Sequence, residues 1–506
     1  LVAGSPRGVS LGKLFRVGIV SSKVVILGAG PAGLALGMKL LRRGDLNIKL
    51  TIIEQESRVG GLTASFEHEG LYFDYGSHRL HPVMPPEMLQ DIRGLLGSDL
   101  LDRPRKGRIR LLRHFVKFPL NFLDFGLHLP PFFLSGIGVD AVSRLFKVES
   151  TPNASFADVL LDGLGPTACK HFYFPYARKL WGLDPQKIAG LQAQRRVSAI
   201  NVTKMMRRVG AVIPGVRCQR RQRFFYPRKG FGQIGQSLAQ EVRRLGGQIR
   251  LSTTVQETHW QNGRLVSVIV SPSQEAASAR SESKVTSGSK EIFADFVFST
   301  IPLTHLVDSL RPEPPIEVRN CCQHIQYRAM VLVYLILRTG QFTPYDAHYF
   351  PEAEVIFSRV SEPRNYSSTP EPHGITGLCV EIPCWFGDET WNAPQQDMGA
   401  LVIRDFERVG LPVKPLLKTF FVRRLPQAYP VYDLGFERRF RVLDDYLSHI
   451  AGLVSLGRQG LCAHDNTHHT LEMAYRASEC FQSNSIWSPE RWRFYRKQFR
   501  KHVVED

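Results

Sequence analysis

Hydrophobic residues fall along this chain in two rhythms, and the places where one replaces the other divide it. "KVVIL" (Lys23 to Leu27) is an unbroken apolar run of strand length, and "LALGMKLLRR" from Leu34 carries apolar residues at helical spacing. "IKLTIIE" from Ile48 is again strand-like and ends on Glu54, so the pattern predicts a βαβ unit. Helix-then-strand text returns in "IGQSLAQEVRRLGGQIRLSTTV" from Ile234, in "DFVFSTIP" up to Pro302, and in "LVSLGRQG" followed by "TLEMAYRASECFQS". Between these pieces, about 91 to 223 reads as polar, basic helical text. From about 303 to 435 the alternation of "AMVLVYLIL" and the turn residues of "SEPRNYSSTPEPHG" predict an antiparallel sheet.

The fold class expected is therefore α/β. A Rossmann-like domain is assembled from 23–92, 224–302 and 436–484, with a helical insertion at 93–223 and an antiparallel-sheet substrate domain at 303–435. Residues 1–22 are set aside as a tail or weak targeting segment. The Ser-rich stretch 271–290 is expected to be a mobile insertion, and Ser488-Pro489 opens a basic C-terminal helix within 485–506.

At 506 residues and 43% hydrophobic content the chain is long enough for two or three domains. The eight cysteines form neither CxxC pairs nor a Cys/His grid at zinc spacing, which fits a reducing, cytoplasmic setting. The net charge of +19 gathers partly in clusters from Arg103, Arg217 and Arg491, a field that attracts phosphates or anionic lipid. No zinc-finger, RNP-like or OB-like signature accompanies it, so nucleic acid is not an expected partner. "LNFLDFGLHLPPFFLSGIGV" from Leu120 is the most apolar window, but Asp124, His128, Pro130 and Pro131 interrupt it. It reads as a buried helical hairpin in preference to an apolar lip in peripheral contact with a membrane.

Gly28, Gly30 and Gly33 form GxGxxG between the first strand and helix, and Glu54 lies 21 positions beyond Gly33. Such glycines allow a tight turn, close approach of backbone to a pyrophosphate and close helix–strand packing, while the acid accepts from ribose hydroxyls. Pro31 and Ala32 open the helix whose N-terminus faces the phosphates. Glu54 continues as "QESRVGGL", giving Arg58, Gly60, Gly61 and Leu62 after Gln55. This tail resembles the flavin-containing amine oxidase and protoporphyrinogen oxidase superfamily, whose fold is a GR2-type flavoprotein. The resemblance implies FAD, lined also by Gly76, Ser77, His78, Val255, Gly457 and Arg458.

Within that superfamily the chain is similar to UDP-galactopyranose mutases from about residue 23 to 480. "YGSHRLHP" resembles the mutase segment G-x-H-x-x-H, and "YARKLWGLDP" places Tyr176 and Trp181 as in a nucleotide-base pocket. Arg195, 14 positions after Trp181, and Arg328 of "QYRAM" resemble the pair that clamps a diphosphate, and Tyr429 of "AYPVYD" resembles the mutase Tyr-Pro-Val. The resemblance implies a small anionic nucleotide sugar as substrate, with His78, His81, Arg195 and Arg328 at the reaction centre and NAD(P)H as a candidate external reductant. In the mutases, reduced flavin N5 attacks the anomeric carbon, expels the nucleoside diphosphate, and the sugar recloses with another ring size. The chain departs from the mutase pattern after Arg458, where "LCAHDNTHH" puts His464, Asn466 and His468 at positions of other chemistry. Two alternatives therefore stand: an oxidase or desaturase of the amine or porphyrinogen type, and a flavin-bearing scaffold without catalysis. The sequence sets no oligomeric state.

His78 and His81, three apart in "FDYGSHRLHP", have their own alternatives. A metal pair would need further ligands, and the dense histidine text elsewhere is His464 to His469. A structural pair would hydrogen-bond in the core. The reading adopted is flavin lining, with no metal, because Gly76 admits close backbone approach and an imidazole donates or accepts as the ring changes redox state.

Overall fold

The computed structural model describes residues 21–119, 122–143, 154–196, 223–273, 288–367, 372–482 and 486–504. In chain order the elements used below are β1 (Ser22–Leu27), α1 (Pro31–Arg42), β2 (Ile48–Ile53), β3 (Gly107–Leu111), β4 (His114–Phe118), α2 (Phe122–His128), α3 (Pro131–Ser143), α4 (Gly190–Arg196), β5 (Gln248–Arg250), β6 (Phe296–Ser299), β7 (Tyr327–Leu337), β8 (Ala347–Tyr349), β9 (Arg359–Ser361), β10 (Thr376–Trp385), β11 (Leu417–Pro430), β12 (Leu453–Ser455) and α5 (Thr467–Glu479).

A parallel sheet of order β12-β6-β1-β2-β5 draws its strands from three separated stretches of chain. Central β1 turns Val24 to Leu27 into the core because helices cover both faces of a parallel sheet. On one face α1 packs against α5 and the helix Gln233–Arg244. Small residues let it approach: a Cβ on Gly37 would already lie 3.1 Å from Ile52 Cδ1.

The second sheet has seven strands in the order β11-β7-β10-β9-β8-β3-β4, antiparallel except for the β8–β3 pair. After Tyr327, every residue of β7 is buried, and its alternation splits two cores. Val331 and Val333 pack with Met398, Val402 and Phe406, whereas Met330, Leu332 and Tyr334 pack with Phe73 and Tyr75 of the nucleotide-binding half. A smaller four-stranded sheet joins Thr253–Gln261, Arg264–Pro272, Lys290–Phe293 and Leu310–Arg311.

The span 93–223 differs from the helical expectation. Leu100–Pro104 pairs with Arg223–Pro227, and β3 and β4 form a hairpin that extends the large sheet. Its turn places Leu112 and Arg113 at positive φ, without glycine. The basic text "GRIRLLRHFVKF" hid a period-two strand pattern, because arginines of β3 can be buried when a partner meets them, as Glu352 meets Arg110. The apolar window also differs: α2 and α3 leave Leu123, Leu127, Phe132, Val139 and Val142 exposed. Among the described residues no helix is long and apolar enough to cross a membrane, and the seven described cysteines form no disulfide with one another. Residues 1–20, 217–222 of the second basic cluster, and 274–287 of the Ser-rich stretch lie outside the described residues.

Candidate active site

A cavity of about 600 Å³ runs from the C-terminal edge of the parallel sheet to the wall made by β7 and β11. At its inner end, Gly28 takes φ +99°, Gly30 caps α1, and Pro31 and Ala32 bring the helix N-terminus to the cavity. Gly33 does not reach the cavity surface; a Cβ there would sit 2.1 Å from the Gly28 carbonyl oxygen, so it serves packing. A Cβ on Gly30 would meet nothing within 4 Å, because open cavity lies in front of it. The Glu54 carboxylate accepts from the Ala29 N–H at 2.8 Å and the Glu56 N–H at 3.0 Å, and its burial raises its pKa. Gly60, at φ +105°, donates to the Ala29 carbonyl and ties the second glycine loop to the first. Arg58 stacks over Tyr75 at 4.1 Å and keeps a buried Nη1 with no hydrogen-bond partner among the described residues.

Midway along, the segment Tyr75 to His81 forms one wall. Glu381 from β10 accepts the Ser77 N–H at 2.8 Å and pairs with Arg359 at 2.7 Å, anchoring the turn at Gly76. The His78 imidazole contacts the Tyr75 carbonyl at 3.1 Å and lies 5.4 Å from the Phe231 ring; burial pushes its pKa down to about 4. His81 also faces the cavity and lies 5.8 Å from His468. Behind this wall, buried Asp74 accepts from Ser65, Tyr226 and the Phe231 N–H, and burial raises its pKa to about 6.

The far end is cationic. Arg196 and Arg458 line it around Tyr429, and Arg105, which lies over the Phe118 ring, lines the same cavity. Arg196 lies 5.3 Å from both the Trp181 and Tyr429 rings and donates to His464 Nδ1 at 3.3 Å. Arg458 lies 4.8 Å from the Tyr429 ring, and burial, with the Arg196 charge, lowers its pKa against the opposing pull of Tyr429 and Asp465. Arg458 and Arg105 enter no ion pair among the described residues, and Arg458 Nε and Arg105 Nε and Nη2 are buried without partners there. Buried His464 and His468 are held neutral by desolvation, His468 near 3. Val504, beyond the C-terminal helix, closes this end through its N–H to the Arg195 carbonyl at 2.8 Å.

The family described as flavin containing amine oxidoreductase matches residues 31–477. The chain belongs to this family. As an amine oxidase-family flavoenzyme it is similar in fold to reduced UDP-galactopyranose mutase, at 18% identity and a TM-score of 0.73 over 91% of this chain and 93% of that one. It is also similar to a candidate protoporphyrinogen oxidase from Exiguobacterium sp. 255-15, at 16% identity and a TM-score of 0.66 over 91% and 99%. A stretch of 103 residues is 30% identical to the all-trans-retinol 13,14-reductase of Danio rerio, covering 18% of this chain and 16% of that protein's length.

The inner end of this flavoenzyme fits the FAD that its family carries. Gly30 leaves backbone open to a pyrophosphate, the α1 N-terminus supplies unbonded N–H groups, Glu54 presents acceptors for a ribose, and Arg58 Nη1 awaits a partner. Gln55, Gly61, Leu62, Gly76, Ser77, His78, Val255, Gly457 and Arg458 line the same cavity.

The substrate residues expected from sequence are placed differently. Of these, Tyr429 lines the cavity; Trp181 packs edge-on behind it, and Tyr176 stacks on Phe172 in a separate core. Arg195 and Arg328 do not form one clamp. Arg195 turns to Asp465 at 3.7 Å and the Phe499 carbonyl, because consecutive residues of α4 point about 100° apart and Arg196 takes the cavity side. Arg328 stacks on Trp385 and donates to the Lys179 and Leu180 carbonyls, so although strand alternation puts it on the face of Met330 and Leu332, its guanidinium is taken up by these partners and does not line the cavity. Sequence reasoning missed Arg105, Arg196, Arg359 and Glu381, whose only signal was charge among many charges. Asp465, His469 and His502 bring potential ligand atoms within 4.8 Å of one another. The Arg195 guanidinium beside Asp465 and the Asn466 N–H aimed at His469 Nδ1 both oppose a cation there.

Proposed function

We propose that this protein is an FAD-dependent enzyme acting on a small anionic substrate of the nucleotide-diphosphate-sugar kind. The observation that carries the reading is the pair of cavity guanidiniums Arg196 and Arg458 on either side of Tyr429, with Arg105 on the same lining; Arg458 Nε and Arg105 Nε and Nη2 are buried without hydrogen-bond partners among the described residues. Like charges held together in a partly desolvated site are stabilised by an anion, and planar guanidinium forks suit phosphate oxygens. Tyr429 offers an aromatic surface beside two of these cations. FAD, when bound, supplies an electron-pair acceptor or, reduced, a nucleophilic nitrogen. The chain's own residues bind and orient: the arginines fix the anion, the Glu381–Arg359 pair sets the Gly76–Ser77 turn, and neutral His78 offers one donor and one acceptor. A cytoplasmic setting accords with an anionic nucleotide substrate and described cysteines that form no disulfide with one another.

The test is anaerobic: dithionite-reduced protein is incubated with UDP-galactopyranose and the product resolved by chromatography. Ring-contracted product supports the nucleotide-sugar reading. If UDP and pyrophosphate both leave the flavin fluorescence unchanged at low salt, the anionic-substrate reading fails.

Net oxidation is a second reading, favoured by the apolar strip Met330, Leu332, Leu425 and Ala428 on the β7–β11 wall. It predicts steady oxygen consumption without added reductant. NAD(P)H as external reductant belongs to the first reading and predicts anaerobic bleaching of the flavin by NADPH. A flavin that none of these reagents perturbs would favour the scaffold.

A further inference from the structure

We propose that α2 and α3 dock this protein on a lipid bilayer bearing anionic headgroups. α3, "PFFLSGIGVDAVS", contains one charged residue, and that residue faces inward: Asp140 is 6% exposed and accepts the Thr167 N–H at 2.7 Å. α2 does the same with Asp124, 9% exposed, which accepts the Lys117 N–H at 2.7 Å. Outward point Leu123 at 78%, Leu127 at 81%, Phe132 at 57%, Val139 at 67% and Val142 at 58% exposure. Burying carboxylates while exposing large apolar side chains inverts the usual arrangement of a surface helix, which water alone does not stabilise.

The rim decides what covers this face. Lys117, whose side chain is 61% exposed, sits beside Asp124, and exposed Lys170 precedes His171, whose ring lies 5.9 Å from both Phe132 and Phe133. Described residues of α2 and α3 expose no carboxylate. Apolar residues flanked by two exposed lysines, with the acids withdrawn, complement a surface of acyl chains below anionic headgroups. Helices of 7 and 13 residues are too short to span a bilayer, so they lie in its interface.

The test sediments the FAD-loaded full chain with vesicles of phosphatidylcholine, alone or mixed with phosphatidylserine. Binding to the mixed vesicles, weakened by salt and lower on phosphatidylcholine alone, is expected. Leu127→Glu with Val139→Glu should lower the partition coefficient at least about tenfold on both vesicles. Lys117→Glu with Lys170→Glu should lower it about tenfold on the mixed vesicles alone. Both pairs alter exposed positions, and unchanged flavin absorbance and thermal melting verify the fold. Wild-type protein that stays in the supernatant overturns the proposal, as does equal binding by the double-glutamate variant. A concentration-dependent dimer abolished by that variant, without vesicle binding, overturns it in favour of a second copy.

Discussion

The two ends of the cavity are built from different materials. At the flavin end the wall is largely backbone, from loops held by glycine and by one carboxylate that caps N–H groups of its neighbours. At the substrate end the wall is side chain: Arg196 ends α4, Tyr429 lies on β11, and Arg458 follows β12. A backbone cradle depends on local conformation and tolerates few changes in shape. A side-chain cluster depends on long-range packing, and each member is replaceable at the cost of one contact.

The largest expected effects lie at the flavin end. Gly33→Val drives a side chain into the Gly28 carbonyl and should prevent folding of the parallel sheet, read as loss of soluble protein or of the thermal transition. Gly30→Val should instead fold, since nothing stands within 4 Å, but lose FAD by about a hundredfold or more in affinity, because the valine occupies the phosphate space. Stoichiometric FAD in folded Gly30→Val protein would erase the distinction drawn between cradle and cluster.

Glu381→Gln breaks a buried ion pair where the two ends meet and leaves Arg359 uncompensated, at a cost of about 3–5 kcal/mol in urea unfolding. The Arg359→Met, Glu381→Met double variant should recover part of that loss. If Glu381→Gln unfolds like wild type, the pair does not secure the Gly76–Ser77 turn.

At the substrate end Arg458→Ala should weaken UDP binding by roughly tenfold to a hundredfold, with the flavin spectrum retained. Arg328→Ala is the contrast: UDP affinity unchanged, but stability lower by about 1–3 kcal/mol, since the Leu180 carbonyl loses its donor in the core. Equal effects of the two on UDP affinity would return Arg328 to the clamp.

The smallest effect is on pH dependence, where two buried groups packed behind the cavity wall carry opposite signs. Asp74, raised to about 6 from an ordinary 3.8, holds its proton more tightly when folded, so it lowers stability as pH rises from about 3.8 to 6. His468, lowered to about 3 from 6.5, is protonated more readily in the unfolded chain, so it raises stability as pH rises from about 3 to 6.5. Each contributes up to about 1.4 kcal/mol per pH unit within its window. Between about pH 4 and 6 they offset one another; Asp74→Asn should steepen the rise of the urea midpoint with pH, and His468→Gln should flatten it. Unchanged slopes in both variants would show that neither burial persists in solution.

Much of the flavin end was legible because its parts are close in sequence. Gly28 to Gly33, Glu54 and Arg58 to Gly61 fall within one βαβ unit and its sequel, where turn conformation and hydrophobic period leave few arrangements. The β3–β4 hairpin was misread because its arginines looked like a solvated helix face, and their burial against Glu352 and aromatic rings is a tertiary event. Arg195 and Arg328 show the limit from the other side. Spacing brought them to the right neighbourhood, but a step of about 100° along α4, and the Trp385 ring and the Lys179 and Leu180 carbonyls that engage Arg328, decided which guanidinium meets the cavity.

The chain by itself determined a parallel sheet assembled from separated segments, a glycine-built dinucleotide cradle and a surplus of cations. These follow from local propensity, hydrophobic period and composition, which act over a few residues. Only the tertiary structure decided that Asp124 and Asp140 turn inward beneath an apolar face, and that Arg105, Arg196 and Arg458 share one cavity. Side-chain direction and ion pairing depend on what packs opposite, and those partners range from Lys117, seven residues from Asp124, to Glu352, 242 residues from Arg110.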